Sequence, residues 1–230
     1  NDIVKFGEYA FNKAHSTGDA LIASQTAYIK VYYPLEFMAA LMTFEMSDTD
    51  KVVEYVDECR RMGITVLPPD INRSATDFAV SSEAAAPSIR FGLAAIKGIG
   101  EKATDAIVRE RSARGVYRSL FDFCERVDHT SVNRAAVEAT INCGAFDSTG
   151  AMRKALVNTL EAALQFGAAA QRDKAAGQLS FFGDLVPDTA APEPALSTEE
   201  WSEAEMLARE KAALGFYITK HPLASYSDLG

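Results

Sequence analysis

The sequence lacks any apolar run long enough to cross a bilayer, and it has three cysteines, three histidines and one tryptophan among its 230 residues. Each scarcity excludes something. Without roughly 20 consecutive apolar residues no transmembrane helix is expected. Without a basic, then apolar, then small-residue leader no secretory signal is expected at the amino end. The chain therefore reads as soluble and cytoplasmic, with no membrane partner. Its first residue is Asn1 rather than Met, and an amphipathic pattern is already running by Ile3, which predicts a piece of a larger protein. Cys59, Cys124 and Cys143 stand far apart with no Cys-x-x-Cys, so they read as small buried hydrophobes rather than a zinc knuckle or disulfide framework. His15, His129 and His221 are equally scattered, and no metal-ligand spacing connects them. There is no Walker loop, no Gly-x-Ser-x-Gly and no carboxylate pair that reads as a holder of two magnesium ions, so no catalytic residue is assigned.

What is present is a chain 48% hydrophobic and 24% charged, enough for one or two ordinary cores. The net charge of -9 taken alone argues against nucleic acid. Its distribution argues the other way. Residues 1–89 hold 7 basic and 13 acidic side chains, and residues 135–230 hold 7 and 13, but residues 90–134 hold 9 basic and 6 acidic. One net-positive block thus sits between two acidic ones.

The pattern predicts a mainly α fold with a small β element inside it. Helices are expected over 3–15, 24–33 and, behind Pro34, 35–44. Another is expected within 47–63, capped by Ser and Asp and stopped at Gly63. Pro68-Pro69 ends helical continuity, and 64–67, 77–80 and 88–92 read as short strands, with 81–87 a surface turn. Helices return at 93–97, 101–113, 119–126, 132–143 and 151–166, with Ser119, Ser131 and Gly144 as caps. Residues 168–197, rich in Ala, Pro and Asp, read as a linker. Ser197-Thr198-Glu199-Glu200 reads as a capping box opening a last helix that ends at Gly215.

The positive block contains "AAIKGIGEKATDAIVRERSARG" (94–115). Ile96, Ile99, Ala103 and Ile107 recur every three or four residues and can bury one face, while Gly98 and Gly100 permit a tight positive-φ turn. The amides of Gly100, Glu101 and Lys102 would then open a helix with nothing to accept them, which suits a phosphate, and Lys97 and Lys102 flank the spot. A plain turn between helices, its glycines serving packing and its Glu101 facing the helix dipole, is the competing reading.

This frame resembles the helix-hairpin-helix motif, which grips DNA backbone without reading sequence. A degenerate second copy is expected over 136–156, with Cys143-Gly144-Ala145 at the hairpin. Together with "FNKAHS" (11–16), "QTAYIKVYYPLEFMAALMT" (25–43), "VDECRRMGITVLPPDIN" (56–72), "SLFDFCERVD" (119–128) and "GAFDSTGAMRKAL" (144–156), the chain resembles, in order and nearly throughout, the bacterial replicative DNA polymerase III alpha subunits. The resemblance implies the end of the fingers over 1–80, a tandem helix-hairpin-helix region over 81–167, a linker over 168–197 and, over 198–230, a helix leading toward an OB-fold domain. DNA contact is implied for Lys97, Gly98, Ile99, Gly100 and Lys102, and proximity to the nucleotide for Asn12, Lys13 and His15.

In the linker, Leu179, Phe181 and Phe182 stand where no core is expected, the mark of a docking peptide. Gln178-Leu179-Ser180-Phe181-Phe182 resembles the family's sliding-clamp pentapeptide. The implied partners are duplex or primer-template DNA, the beta clamp and other holoenzyme subunits. No cofactor is expected in the piece, although the parent polymerase is expected to use Mg2+. A DNA-binding module of a repair or nuclease complex and a purely structural helical protein are the alternatives.

Overall fold

Pro34 opens a helix in the computed structural model because its missing N–H falls where a helix has no internal acceptor. The structure describes residues 13–83, 85–175 and 196–219, the side chains of 13–15 and 173–175 excepted. Among them are eight α-helices and one three-stranded sheet, so the fold is mainly α with a small β element. Helix α1 (Lys13–Tyr32) precedes α2 (Pro34–Phe44). It runs unbroken through 16–23, where two separate helices were expected, because one internal glycine at Gly18 costs only about 1 kcal/mol against 20 residues of helix. In α3 (Thr49–Arg61) the Asp48 carboxylate accepts hydrogen bonds from the amides of Asp50 and Lys51, so Asp48 caps the helix. Val52, Val56 and Cys59 form its buried stripe.

The three strands fall where the apolar runs predict them. They are β1 (Thr65–Leu67), β2 (Ala79–Ser81) and β3 (Ser88–Arg90), in the order β1-β3-β2. β3 pairs parallel with β1 and antiparallel with β2, which sets Ile89 between Val66 and Val80. All three residues of β3 are buried, Arg90 included, its guanidinium held by Glu83 and by the carbonyl of Pro68.

Beyond the sheet come α4 (Glu101–Arg114), α5 (Leu120–Arg126), α6 (Arg134–Asn142), α7 (Arg153–Ala175) and α8 (Glu203–Leu214). Ser119 caps α5 as expected, but α6 is capped by Asn133, since the Ser131 hydroxyl donates to Asp128 instead. The expected helix at 93–97 is a single 3-10 turn, Leu93–Ala95. Its first two amides donate to the carbonyls of Ala75 and Thr76, which ties it to the sheet region and leaves no length for a helix before Gly98.

Two further departures come from tertiary contacts. α7 continues to Ala175, so residues 168–175, expected as linker, are helical. Gln171 explains the extension, because its side-chain amide donates to the carbonyls of Glu125 and Val127 and ties the added turns to the end of α5. Ser197–Glu200 does not open the last helix. Ser202 caps α8, while the Glu200 carboxylate accepts from the amides of Arg153 and Lys154 (2.7 and 3.0 Å) and caps α7 across 46 positions of sequence.

One hydrophobic core runs from Met38 to Phe216. At its centre Tyr117, Phe123 and Phe146 meet edge to face, at centroid separations of 4.9 and 5.2 Å. α5 and α7 cross so closely at Gly167 that a β-carbon there would come 2.2 Å from the carbonyl oxygen of Cys124. Gly167→Ala is therefore expected to destabilise the chain by about 1–3 kcal/mol, read as a lowered midpoint in urea denaturation.

Candidate nucleic-acid interface

The hairpin begins with a plug. Ile96, Ile99, Ala103 and Ile107 are all buried, which anchors the loop to the core while Lys97, Gly98, Gly100, Glu101 and Lys102 stay exposed. Gly98 has φ +84, a left-handed conformation that side chains resist. Gly100, also expected in a positive-φ turn, instead has φ -84 and ψ 157 and is the N-cap of α4. A β-carbon at either glycine would meet nothing within 4 Å, so neither is there to let another element pack closely. That observation disfavours the packing-turn reading.

The amides divide sharply here. Lys97 donates to the carbonyl of Ala213 and Ile99 to that of Ile96. Those of Gly98, Gly100, Glu101 and Lys102 find no acceptor among the described residues, and Gly100 has no side chain to cap the helix. Glu101 does not fold back onto them; only its backbone carbonyl is engaged, by the Thr104 hydroxyl. The result is four unaccepted amides at or beside the positive end of a 14-residue helix, a setting that suits an anion.

The two lysines do not share this spot equally. Lys102 lies in the first turn of α4, whereas the Lys97 ammonium leans toward the C-terminal end of α8, 3.0 Å from where a β-carbon on Gly215 would stand. Of the arginines in the basic block, Arg111 faces inward and donates to the carbonyls of Ile71 and Ser74. Arg114 pairs with Glu110, and Arg126 with Glu110 and Asp122. Neither this inward use of Arg111 nor the engagement of Arg126 was legible in the charge count.

The second hairpin folds but is closed. Gly144 has φ +83, as a hairpin needs, yet a β-carbon there would fall 2.1 Å from the Arg153 guanidinium. The amides of Cys143, Gly144 and Ala145 donate to Ala139, Ile141 and Thr140. Arg153, itself buried, is clasped by Asp147 (2.8 Å) and lies 3.9 Å from buried Glu210. No amide of Cys143-Gly144-Ala145 is left for a phosphate. The tandem arrangement offers one open hairpin, and the other serves as the seat of α8.

The cysteines are chemically quiet. Burial pushes the thiol of Cys59 up to about 11 and those of Cys124 and Cys143 up to about 12, so none is a thiolate at neutral pH. His129 donates from Nε2 to the carbonyl of Cys124. Lys13 and His15 stand in the first turn of α1, their side chains outside the described residues. Asn12, His221 and the pentapeptide Gln178–Phe182 also lie outside them. No helix among the described residues is long and apolar enough to cross a membrane.

Residues 63–156 match the family described as the helix-hairpin-helix motif, which takes in both hairpins. The chain is 44% identical over 225 residues to the DNA polymerase III subunit alpha of Pasteurella multocida (strain Pm70) and 43% identical over 225 residues to that of Escherichia coli (strain K12). Both comparisons cover 97% of this chain and 19% of the relative. The subunit of the same name from Deinococcus radiodurans is 45% identical over 228 residues, 97% of this chain and 17% of its own length. The chain thus spans under a fifth of the length of these relatives.

The hairpin geometry separates its two glycines. Gly98→Ala, forced to keep φ +84, is expected to cost about 1–2 kcal/mol. Gly100→Ala, at an ordinary φ with open space around it, should stay within about 0.5 kcal/mol of the parent. Paired urea titrations check this, and equal losses at the two sites would contradict it.

Proposed function

We propose that the chain, similar along 97% of its length to DNA polymerase III alpha subunits, is the duplex-gripping and clamp-tethering part of a replicative polymerase. The observation that carries the reading is the four unaccepted amides of Gly98, Gly100, Glu101 and Lys102, on an exposed turn whose glycines have no packing duty. Such amides bind a backbone phosphate whatever the base attached to it, so the grip is independent of sequence and weakens with salt. Lys102 adds its charge at the same helix start. Lys97, held beside α8, contributes from the flank.

The parent enzyme carries out DNA-directed DNA synthesis by nucleotidyl transfer with Mg2+. Among the described residues no three His, Cys, Asp or Glu side chains gather as metal ligands. Lys13 and His15, together with Asn12, lie toward the incoming nucleotide in the assembled enzyme. Gln178-Leu179-Ser180-Phe181-Phe182 docks on the beta clamp, the glutamine at the rim and the hydrophobes in the pocket. Processivity then comes from tethering, since a high effective concentration of DNA compensates for a weak grip. The other holoenzyme subunits are the remaining partners, in the cytoplasm.

Fluorescence anisotropy with a short primer-template duplex across a salt series tests the grip. Gly100→Asp places a carboxylate among the amides without backbone strain, and about a 10- to 100-fold rise in Kd is expected, the value of one or two charge-assisted hydrogen bonds. Equal binding by both chains would return the hairpin to a packing role. Clamp docking is tested separately by retention on immobilised beta clamp. The parent should be held, and a Gln178→Ala, Phe182→Ala chain should pass through.

A further inference from the structure

Beside the hairpin, a groove of about 440 Å³ runs between α4 and the connection from α5 to α6. Its walls carry three cations, Lys102, Arg109 and Arg126, and three acids, Asp105, Glu110 and Asp128. Counted as charges they cancel, but hydrogen bonding divides them. Asp128 accepts from the amide and hydroxyl of Thr130 and from the hydroxyl of Ser131. Asp105 accepts from the Thr76 hydroxyl at 3.2 Å. Glu110 takes Arg114 and Arg126 together. The Arg126 guanidinium is in turn used up on Glu110, Asp122 and the carbonyls of Gly115 and Val116, and stacks 4.5 Å over the Tyr117 ring. Glu110 and Arg126 are thus spent on each other, while Asp105 and Asp128 keep their charge but have oxygens occupied by neutral donors.

Lys102 and Arg109 are the two cations of the groove not bound to a carboxylate. Both are exposed, and neither has a carboxylate within ion-pair distance among the described residues. Elsewhere on the surface Arg60, Arg134 and Arg209 each sit against a carboxylate. Seven residues separate Lys102 from Arg109, nearly two whole turns, so both project from one side of α4 and stand about 10.5 Å apart along its axis. At about 3.4 Å of duplex axis per phosphate of one strand, that is roughly three phosphates. Lys102 belongs both to this wall and to the hairpin's helix start. It therefore joins the two sites into one track.

We propose that the groove along α4 takes a second backbone phosphate of the DNA strand whose first phosphate sits on the hairpin amides, with Arg109 as its main ligand. This rests on the hairpin reading. A guanidinium suits the role because it offers a planar fork of N–H donors to two phosphate oxygens at once. Because one hairpin is closed by Arg153, the duplex is held from one side, and the groove supplies the second point that a single amide cluster cannot. Two points on one strand fix a direction for the DNA, along α4 and away from α8.

The test uses the full 230-residue chain and a labelled duplex of arbitrary sequence, with Kd measured by anisotropy across a salt series. Arg109→Gln is expected to reduce the slope of log affinity against log salt by about 0.9, the signature of one lost phosphate contact. Arg109→Lys should restore most of that slope. Arg134→Gln, which removes the same charge from a residue paired with Glu138, should leave it at the parent value. The proposal is overturned if Arg109→Gln keeps the parent slope while Gly100→Asp still loses binding, because the strand then leaves the hairpin another way. It is also overturned if Arg134→Gln lowers the slope as much as Arg109→Gln, since only net charge would then matter. If the parent chain itself shows no salt-sensitive binding, the hairpin reading fails first and this one with it.

Discussion

Helix α4 is held by hydrogen bonds from a half-buried arginine that has no carboxylate partner. Arg111 reaches back about 40 positions in sequence to the carbonyls of Ile71 and Ser74, and Tyr117 donates to the carbonyl of Ile107 from below. Asn72 completes the lock by exchanging two hydrogen bonds with the backbone of Tyr117. A guanidinium desolvated without a counter-charge is costly unless its donors are used, so this contact tolerates little movement. Everything placed at the surface by α4 depends on it. The free amides at its N-terminus and the cations along its side can meet one strand of DNA only if the helix neither rolls nor slides.

The two hairpins show how one backbone shape serves opposite ends. Each turns on a glycine at positive φ, Gly98 and Gly144. Around Gly98 there is empty space and a run of unused donors. Around Gly144 stand Arg153 and Asp147, with Glu210 behind them, and every amide of Cys143-Gly144-Ala145 is accepted. Glu210 then takes the amides of Ile218 and Thr219, so the second hairpin, α8 and the residues beyond α8 form one polar knot. Buried charges of this kind hold position only when all partners are present. The donors of the first hairpin stay unaccepted, whereas those of the second are given up to the fold.

Helix α8 links the two. Its Ala213 carbonyl accepts the amide of Lys97, and Lys97 leans over Gly215 where the helix ends. The carbonyl end of a helix attracts a cation, which accounts for Lys97 turning aside while Lys102 remains at the amide end of α4. Glu200, at the approach to α8, caps α7 as well. Its carboxyl would be raised by burial, yet the amides of Lys154, Trp201 and Arg153 hold it below the usual carboxylate range.

Much of this was legible in the residues themselves. Periodicity, caps and proline placement are local properties, and they located the helices, the three short strands and the buried faces of Ile96, Ile99, Ala103 and Ile107. The ordered likeness to polymerase III alpha subunits was equally a matter of sequence. What local pattern could not reach was any choice made between distant segments. Whether Gly98 or Gly144 faces open space depends on Arg153 and Glu210. Whether α7 ends at 166 or Ala175 depends on the α5 carbonyls offered to Gln171, and whether Glu200 caps its own helix or another depends on where α7 begins. Which of nine basic residues in 90–134 are free depends on carboxylates and carbonyls brought up by folding. The sequence alone determined where most of the elements form and which face of the hairpin is buried. The tertiary structure alone decided which donors and cations remain unspent, because a polar group is available for binding only after every nearer partner has been counted.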